Sequence, residues 1–173
     1  MKIEVQDDFL PTRLADFCAS DITRRYKLRK FKSKILHDSV KNINNKFFNR
    51  LSARILEDLG YEDPLPDHGC LVNSFSAKSI PLGPHDYQQY DGRDINRHVI
   101  YFLSEGANFT GGSLFYSPNE ILPLQLRQEA KYHRCHPKHN RLVSAPPKAD
   151  RFFDILLECD APMIQVNVFC FNE

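Results

Sequence analysis

The sequence has no apolar stretch that approaches the roughly 18 to 20 residues that a transmembrane helix needs. Its five cysteines lie far apart, are odd in number and include no CxxC pair, which argues against a disulfide framework and a thiolate zinc site. The N-terminal segment is acidic and interrupted by Pro11, so it lacks the basic and apolar regions of a secretory signal. We therefore expect a protein of a reducing, cytoplasmic-type compartment without a membrane segment.

The composition fits one globular domain, in which one segment carries positive charge without any acid. The chain has 173 residues, of which 42% are apolar, and this is enough for a single hydrophobic core. Residues 24–34, RRYKLRKFKSK, hold seven Lys or Arg and no acid, although the net charge of the whole chain is only +1. We call this segment the basic run.

The N-terminal third predicts helices and one edge strand. TRLADFCA, from Thr12, predicts one or two helical turns. The segment NKFFNRLSARILEDLG predicts the clearest helix, because its apolar residues share one face and Gly60 stands at its C-terminal end. The basic run predicts an edge strand, since its apolar residues are not spaced as on a helix.

From Gly69 onward, short β-type runs alternate with Gly, Pro, Asn and Asp. The runs are CLVNSFSA, HVIYFLSE, GGSLFYS, RLVSAP, RFFDILLE and MIQVNVFCF. Short strands without intervening helices predict an antiparallel sandwich or barrel. We predict a single domain over residues 1–173 of α+β class, mainly β, in which residues 1–66 support a jelly-roll core at residues 67–173.

The order of several motifs resembles that of a known enzyme family. These motifs are DDFLP, Asn73 with Phe75, His85, RHVIYFLSEGANFTGGSLFY, HPKHNRLVSAPP and QVNVFCF. In this order they resemble the 2-oxoglutarate and Fe(II)-dependent oxygenases, in particular the prolyl-hydroxylase-like branch. The resemblance implies a double-stranded β-helix, a jelly-roll (cupin-like) barrel whose open mouth holds iron and 2-oxoglutarate.

The motif that the resemblance implies for the iron site is incomplete. The family supplies two His and one carboxylate to Fe(II), and its H-x-D motif reads His85-Asp86-Tyr87 here. The place of the second His falls at or next to Phe153, and the cation that binds 2-oxoglutarate is expected near Met163 or Gln165. Residues 152–173 contain no His, Lys or Arg.

If the site is active, we expect unusual ligands. The candidates for the metal are His85, Asp86 and Asp154, and those for the co-substrate are Arg97 and Asn73. If it is not active, the protein needs no cofactor, and the barrel binds a small molecule or a protein partner of unknown identity. The sequence thus leaves open a repurposed binding module and an active hydroxylase.

Two further segments allow a different function. KYHRCHPKHNR carries three histidines and a cysteine that could bind zinc, although Pro137 interrupts a helix there and a polar loop explains the segment as well. The basic run could bind nucleic acid or another polyanion, but a charged edge strand that prevents sheet-to-sheet association explains it equally well. The residues that would contact the polyanion are Arg24, Arg25, Lys27, Arg29 and Lys30.

Overall fold

The structure is a computed structural model that describes residues 3–28, 37–41, 46–78, 89–90, 92–106, 108–120, 132–146 and 149–171. The helices are α1 (Thr12–Leu28) and α2 (Lys46–Asp58). The strands are β1 (Glu4–Gln6), β2 (His37–Lys41), β3 (His68–Phe75), β4 (Gln89–Tyr90), β5 (Arg93–Leu103), β6 (Phe109–Gly111), β7 (Leu114–Glu120), β8 (His133–Cys135), β9 (Arg141–Ala145), β10 (Ala149–Phe153), β11 (Leu156–Cys159) and β12 (Met163–Phe171). In these ranges, neither helix is long and apolar enough to cross a membrane.

The strands form one large and two small antiparallel sheets. The large sheet has seven strands in the order β1-β9-β5-β12-β3-β2, with β4 paired to the start of β5. The small sheets have the orders β10-β7-β8 and β11-β6. Most neighbours in these sheets are not consecutive strands, and this crossing connectivity confirms the antiparallel barrel that the short strand runs predict.

The large sheet buries both of its faces. One face packs against α1 and α2 in a cluster that includes Ile22, Ile55, Tyr101 and Val166. The opposite face packs against the small sheets in a second cluster, in which Phe75 and Phe102 of the large sheet meet Leu114 and Leu156. We call these two sides of the sheet the helix side and the barrel side. The small sheets therefore form the second wall of the barrel.

The segment before α1 is held on the barrel by Asn140, in the turn that precedes β9. The side-chain Oδ1 of Asn140 accepts hydrogen bonds from the Leu10 N–H at 2.9 Å and from the Tyr101 hydroxyl at 2.7 Å, and its Nδ2 donates to the Leu10 carbonyl at 2.7 Å. Nearby, Asp7 accepts hydrogen bonds from Arg141, and this interaction is the main reason that the pKa of Asp7 is lowered to about 2. The motifs DDFLP and PKHNRL thus bind each other and have a structural role.

The first helix corrects two sequence predictions. TRLADFCA is not limited to two turns, because α1 has 17 residues. The prediction of an edge strand for the basic run is wrong for residues 24–28, which form the end of α1, and residues 29–34 lie outside the described ranges. Buried apolar side chains recur at helical spacing along α1 and explain why the helix extends toward the basic run. They are Ala15, Cys18, Ala19 and Ile22.

The predicted strand RFFDILLE is divided in two. β10 ends at Phe153 and pairs with β7, whereas β11 begins at Leu156 and pairs with β6. Between them the Asp154 N–H donates to the Ser113 carbonyl at 3.0 Å.

The helix predicted from NKFFNRLSARILEDLG is confirmed as α2, and Gly60 beyond its end has a φ of +86°, as expected for a helix C-terminus.

Candidate binding site in the barrel

Polar side chains form a layer on the barrel side of the large sheet and on the facing wall. Each of them is at most 3% exposed to solvent. We call this layer the polar belt, and its members are Asn73, His98, Arg151, Gln165 and Asn167. A buried polar layer requires internal partners or a bound ligand, because a buried polar group without a hydrogen bond is costly.

Strand alternation explains why these residues share one side. In β12 the even-numbered residues Ile164 and Val166 pack on the helix side, so Gln165 and Asn167 point into the barrel. Gln165 is paired with Asn73 of β3. Along β12 the belt lies between Met163, which belongs to the second core cluster, and Phe169, which belongs to a third.

His98 is the imidazole of the belt and is fully buried. Its Nε2 lies 2.9 Å from Asn167 Oδ1, and its ring stacks on Phe169 with centroids 4.6 Å apart. The Asn167 Nδ2 points at backbone carbonyls, so its Oδ1 accepts and His98 Nε2 donates. Burial, followed by the positive charge of Arg151, lowers the pKa of His98 well below its usual value, and the ring is therefore neutral.

Arg151 supplies the positive charge of the belt. It lies on β10 opposite Tyr116 and is 2% exposed. Its Nη1 donates to the Pro146 carbonyl at 3.4 Å. Arg151 lies two residues before Phe153 on β10, and Phe153 packs against the second core cluster, so strand alternation directs both side chains toward the barrel.

Gln165 contributes a donor directed into the same space. Its Nε2 is buried and has no hydrogen-bond partner among the described residues. Gln165 lies in the part of β12 where the resemblance implies a cation. A carboxamide here provides a neutral donor in place of a charged one.

The candidate metal ligands are not assembled in the described part of the chain. His85 and Asp86 lie outside the described ranges. Asp154 is described, and its Oδ1 accepts the Ser113 N–H at 2.5 Å while its Oδ2 lies 3.6 Å from Arg134 Nη2. Its carboxylate is therefore already bound to protein groups, and no group of three His, Cys, Asp or Glu suited to a metal occurs within the described ranges.

Two of the positions that the resemblance implies for the second His and for the cation, Phe153 and Met163, carry apolar side chains, whereas the other position implied for the cation, Gln165, carries a carboxamide. Phe153 packs against the second core cluster, and Met163 is a member of that cluster at 1% exposure. Phe153 has no donor atom for a metal, and the uncharged side chain of Met163 cannot neutralise a carboxylate. Phe153 and Met163 therefore supply neither an imidazole nor a positive charge at these positions.

The two candidate co-substrate residues lie on different sides of the large sheet. Asn73 belongs to the polar belt. Arg97 lies on the helix side, where its Nη2 is 3.7 Å from Glu4 Oε2 and its Cζ is 5.8 Å from the centre of the Tyr61 ring. Adjacent residues of a strand point to opposite sides, so His98 points into the barrel and Arg97 points away from it. This placement does not support binding of a co-substrate by Arg97, which stays a prediction.

The three histidines considered for zinc have separate partners. His133 stacks on Tyr116, and His136 Nδ1 lies 3.1 Å from Ser113 Oγ. His139 lies 3.0 Å from Asp16 on α1. Each histidine thus joins a different pair of elements, and the structure does not assemble them around one point.

The polyanion contacts proposed for the basic run are only partly described. Arg24 is exposed and pairs with Asp21 at 2.8 Å. The backbone of Arg25 and Lys27 is helical, and Arg29 and Lys30 lie outside the described ranges. Polyanion binding by this segment stays a prediction.

Solved structures of low sequence identity share this fold. No family model and no curated protein matches the sequence. A prolyl-4-hydroxylase from Pseudomonas putida superposes with a TM-score of 0.67 at 15% identity, over 99% of this chain and 92% of that chain. A prolyl hydroxylase from Trichoplax adhaerens, in complex with a hypoxia inducible factor peptide fragment, gives 0.71 at 15%, over 98% and 83%. HygX from Streptomyces hygroscopicus, with nickel and 2-oxoglutarate bound, gives 0.71 at 10%, over 98% and 82%.

These likenesses define the fold class. The protein has the double-stranded β-helix fold of the 2-oxoglutarate and Fe(II)-dependent oxygenases, as the order of its sequence motifs predicts. Sequence reasoning missed the polar belt as a unit. The available signal was the alternation in MIQVNVFCF, where Gln165 and Asn167 interrupt apolar residues at a spacing of two.

Proposed function

We propose that this protein is an oxygenase-like double-stranded β-helix that has been repurposed to bind a small molecule in its barrel without iron chemistry. The observation that supports the proposal most directly is that Phe153, at or next to the position implied for a metal ligand, and Met163, one of two positions implied for a co-substrate cation, belong to the apolar packing of the barrel. An apolar pocket wall with a few convergent polar groups is the usual form of a small-molecule site.

The likeness to solved structures is compatible with a ligand in the barrel. HygX was solved with 2-oxoglutarate, and the Trichoplax enzyme was solved with a peptide. The belt of this chain has buried polar groups on the barrel side, and its members on β12, Gln165 and Asn167, are uncharged carboxamides, although the resemblance implies a cation near Met163 or Gln165. We therefore favour a ligand other than the metal-bound 2-oxoglutarate of the family.

Anaerobic calorimetry with Mn(II) and 2-oxoglutarate tests this proposal. The variant His85→Ala removes the predicted first metal ligand, and His133→Ala is the matched control, because His133 is exposed and its ring stacks on Tyr116. We expect the wild type and His85→Ala to give the same result, without joint binding of metal and 2-oxoglutarate.

An active hydroxylase, the alternative, requires the opposite result. Joint binding in the wild type and in His133→Ala, lost in His85→Ala, would show a working metal site and overturn the proposal. The ligands Asp86 and Asp154 would then need to be tested in the same way.

A further inference from the structure

We propose that the outer face of α1 is a docking surface for a membrane that contains anionic lipids. In this arrangement exposed apolar side chains of α1 enter the boundary between headgroups and acyl chains, and the basic residues at the C-terminal end of the helix contact lipid phosphates. The proposal does not rest on the function of the barrel. It gives the basic run a partner of defined chemistry.

α1 is apolar on the face that packs on the large sheet, and it also carries two apolar residues on its outer face. Side chains at helical spacing, such as Ala19 and Ile22, are buried in the core. Leu14 and Phe17, which are neighbours on the helix surface, are 44% and 60% exposed, and they are two of the five exposed large apolar side chains in the described ranges. We call these two residues the apolar pair. An exposed apolar patch of this kind is typical of a surface that contacts a partner or a membrane.

The outer face of α1 leads from the apolar pair to positive charge. Arg24 lies about two turns beyond the pair on the same side of the helix. Its side chain is 69% exposed and pairs with Asp21 at 2.8 Å, so this acid is already neutralised. Arg25 and Lys27 continue the helix, and residues 29–34, outside the described ranges, add four Lys or Arg and no acid to the sequence. A basic cluster beside an amphipathic helix is attracted to anionic lipid headgroups.

The apolar pair favours a membrane over a nucleic acid as the partner. Both partners are polyanions, and both attract a basic segment. Contacts with phosphates make no use of an aliphatic side chain such as Leu14, whereas a helix bound at a membrane surface buries Leu and Phe below the headgroups. α1 is not long and apolar enough to cross a membrane, so the proposed placement is along its surface.

The fluorescence of one introduced tryptophan tests the proposal, because the chain contains no Trp. Phe17→Trp puts the fluorophore on the outer face of α1, and Leu157→Trp is the matched control on β11, where Leu157 is 54% exposed. The probes are vesicles of phosphatidylcholine alone and of equal amounts of phosphatidylcholine and phosphatidylserine. We expect the emission of Phe17→Trp to shift to shorter wavelength only with the phosphatidylserine vesicles, and brominated acyl chains to quench it. The emission of Leu157→Trp should not change.

Sedimentation with the same vesicles shows which side chains contribute to binding. Arg25→Gln should weaken binding about fivefold, since one basic residue near an anionic membrane contributes about this factor. Its control is Arg54→Gln, because Arg54 is an exposed arginine of the other helix. Leu14→Ser should weaken binding about tenfold, and Leu157→Ser, at another exposed leucine, is its control. Both controls should bind like the wild type, and added salt should weaken the binding of all these proteins.

Several results would overturn the proposal. They are absence of binding to the phosphatidylserine vesicles, equal binding to phosphatidylcholine alone, full affinity in both Arg25→Gln and Leu14→Ser, and equal emission shifts in Phe17→Trp and Leu157→Trp. Binding to single-stranded RNA without binding to vesicles, weakened by Arg25→Gln and unaffected by Leu14→Ser, would identify a nucleic acid as the partner instead. The proposed function of the barrel is tested separately by the calorimetry with Mn(II) and 2-oxoglutarate.

Discussion

At the scale of single residues, Asn140 shows how one side chain can connect three parts of the molecule. Its carboxamide bonds both backbone groups of Leu10 and the hydroxyl of Tyr101, and its own backbone has a φ of +63°. Asn tolerates this left-handed conformation better than most residues. The Asn of the PKHNRL motif is therefore required by local geometry and by buried hydrogen bonds, independently of any catalytic role.

Replacing Asn140 should destabilise the protein strongly. Asn140→Ala removes three buried hydrogen bonds and leaves the Leu10 N–H and carbonyl and the Tyr101 hydroxyl without these partners. We expect a loss of about 2 to 4 kcal/mol in the free energy of unfolding, measured by urea denaturation.

The control Asn140→Gly separates backbone strain from hydrogen bonding. Glycine adopts a positive φ at no steric cost, so this variant should be about 1 kcal/mol more stable than Asn140→Ala. Equal stability of Asn140→Ala and the wild type would contradict the role assigned to the carboxamide.

His98 should make stability depend on pH. Its pKa is lowered in the folded state, so the unfolded state binds more protons as the pH falls below about 6.5. The stabilisation is complete above that pH and is lost as the pH falls toward the folded-state pKa. The free energy of unfolding should decrease by at most about 1.4 kcal/mol per pH unit from this one group.

The variant His98→Gln tests this assignment because its amide can still donate to Asn167. Its denaturation midpoint should depend less on pH than that of the wild type between about pH 6.5 and 5. The exposed-histidine variant His133→Gln should keep the wild-type slope. A wild-type slope in His98→Gln would show that other groups cause the pH dependence.

At the scale of elements, the sequence predicts types well and lengths less well. The strand runs and α2 are confirmed because alternation and helical spacing each continue over a whole element. The extent of α1 was missed because its buried residues include two alanines and a cysteine, which give a weak apolar signal. The break between β10 and β11 was missed because it depends on Ser113, a residue of a distant segment.

The junction of β6 and β11 depends on Gly111. Its φ is +79°, and an added Cβ would overlap the backbone carbonyl oxygen of Ile155. Since backbone atoms cannot move aside without disturbing the strand pair, we expect Gly111→Ala to cost about 3 kcal/mol or more in thermal or chemical denaturation.

Gly60→Ala provides the matched comparison. Gly60 also has a positive φ, but an added Cβ would meet no atom within 4 Å. The cost should be limited to about 1 kcal/mol of backbone strain. If the two variants lose equal stability, steric overlap at Ile155 is not the reason for glycine at position 111.

At the scale of the whole molecule, fold and site were predictable to different degrees. The order of the motifs identified the barrel, because those motifs hold strands and turns in place. The polar belt joins β3, β5, β10 and β12, and the register that brings them together is a property of the assembled sheets. For this reason Arg151, which begins RFFDILLE directly after Asp150, gave no functional signal before the fold was known.

The most direct test of the account is the formation of succinate from 2-oxoglutarate by protein supplied with Fe(II) and ascorbate in air. We predict no succinate above that formed in the absence of protein, because Phe153 is apolar and neither Met163 nor Gln165 carries a positive charge. Succinate formation that persists in His133→Ala and is lost in His85→Ala would contradict it.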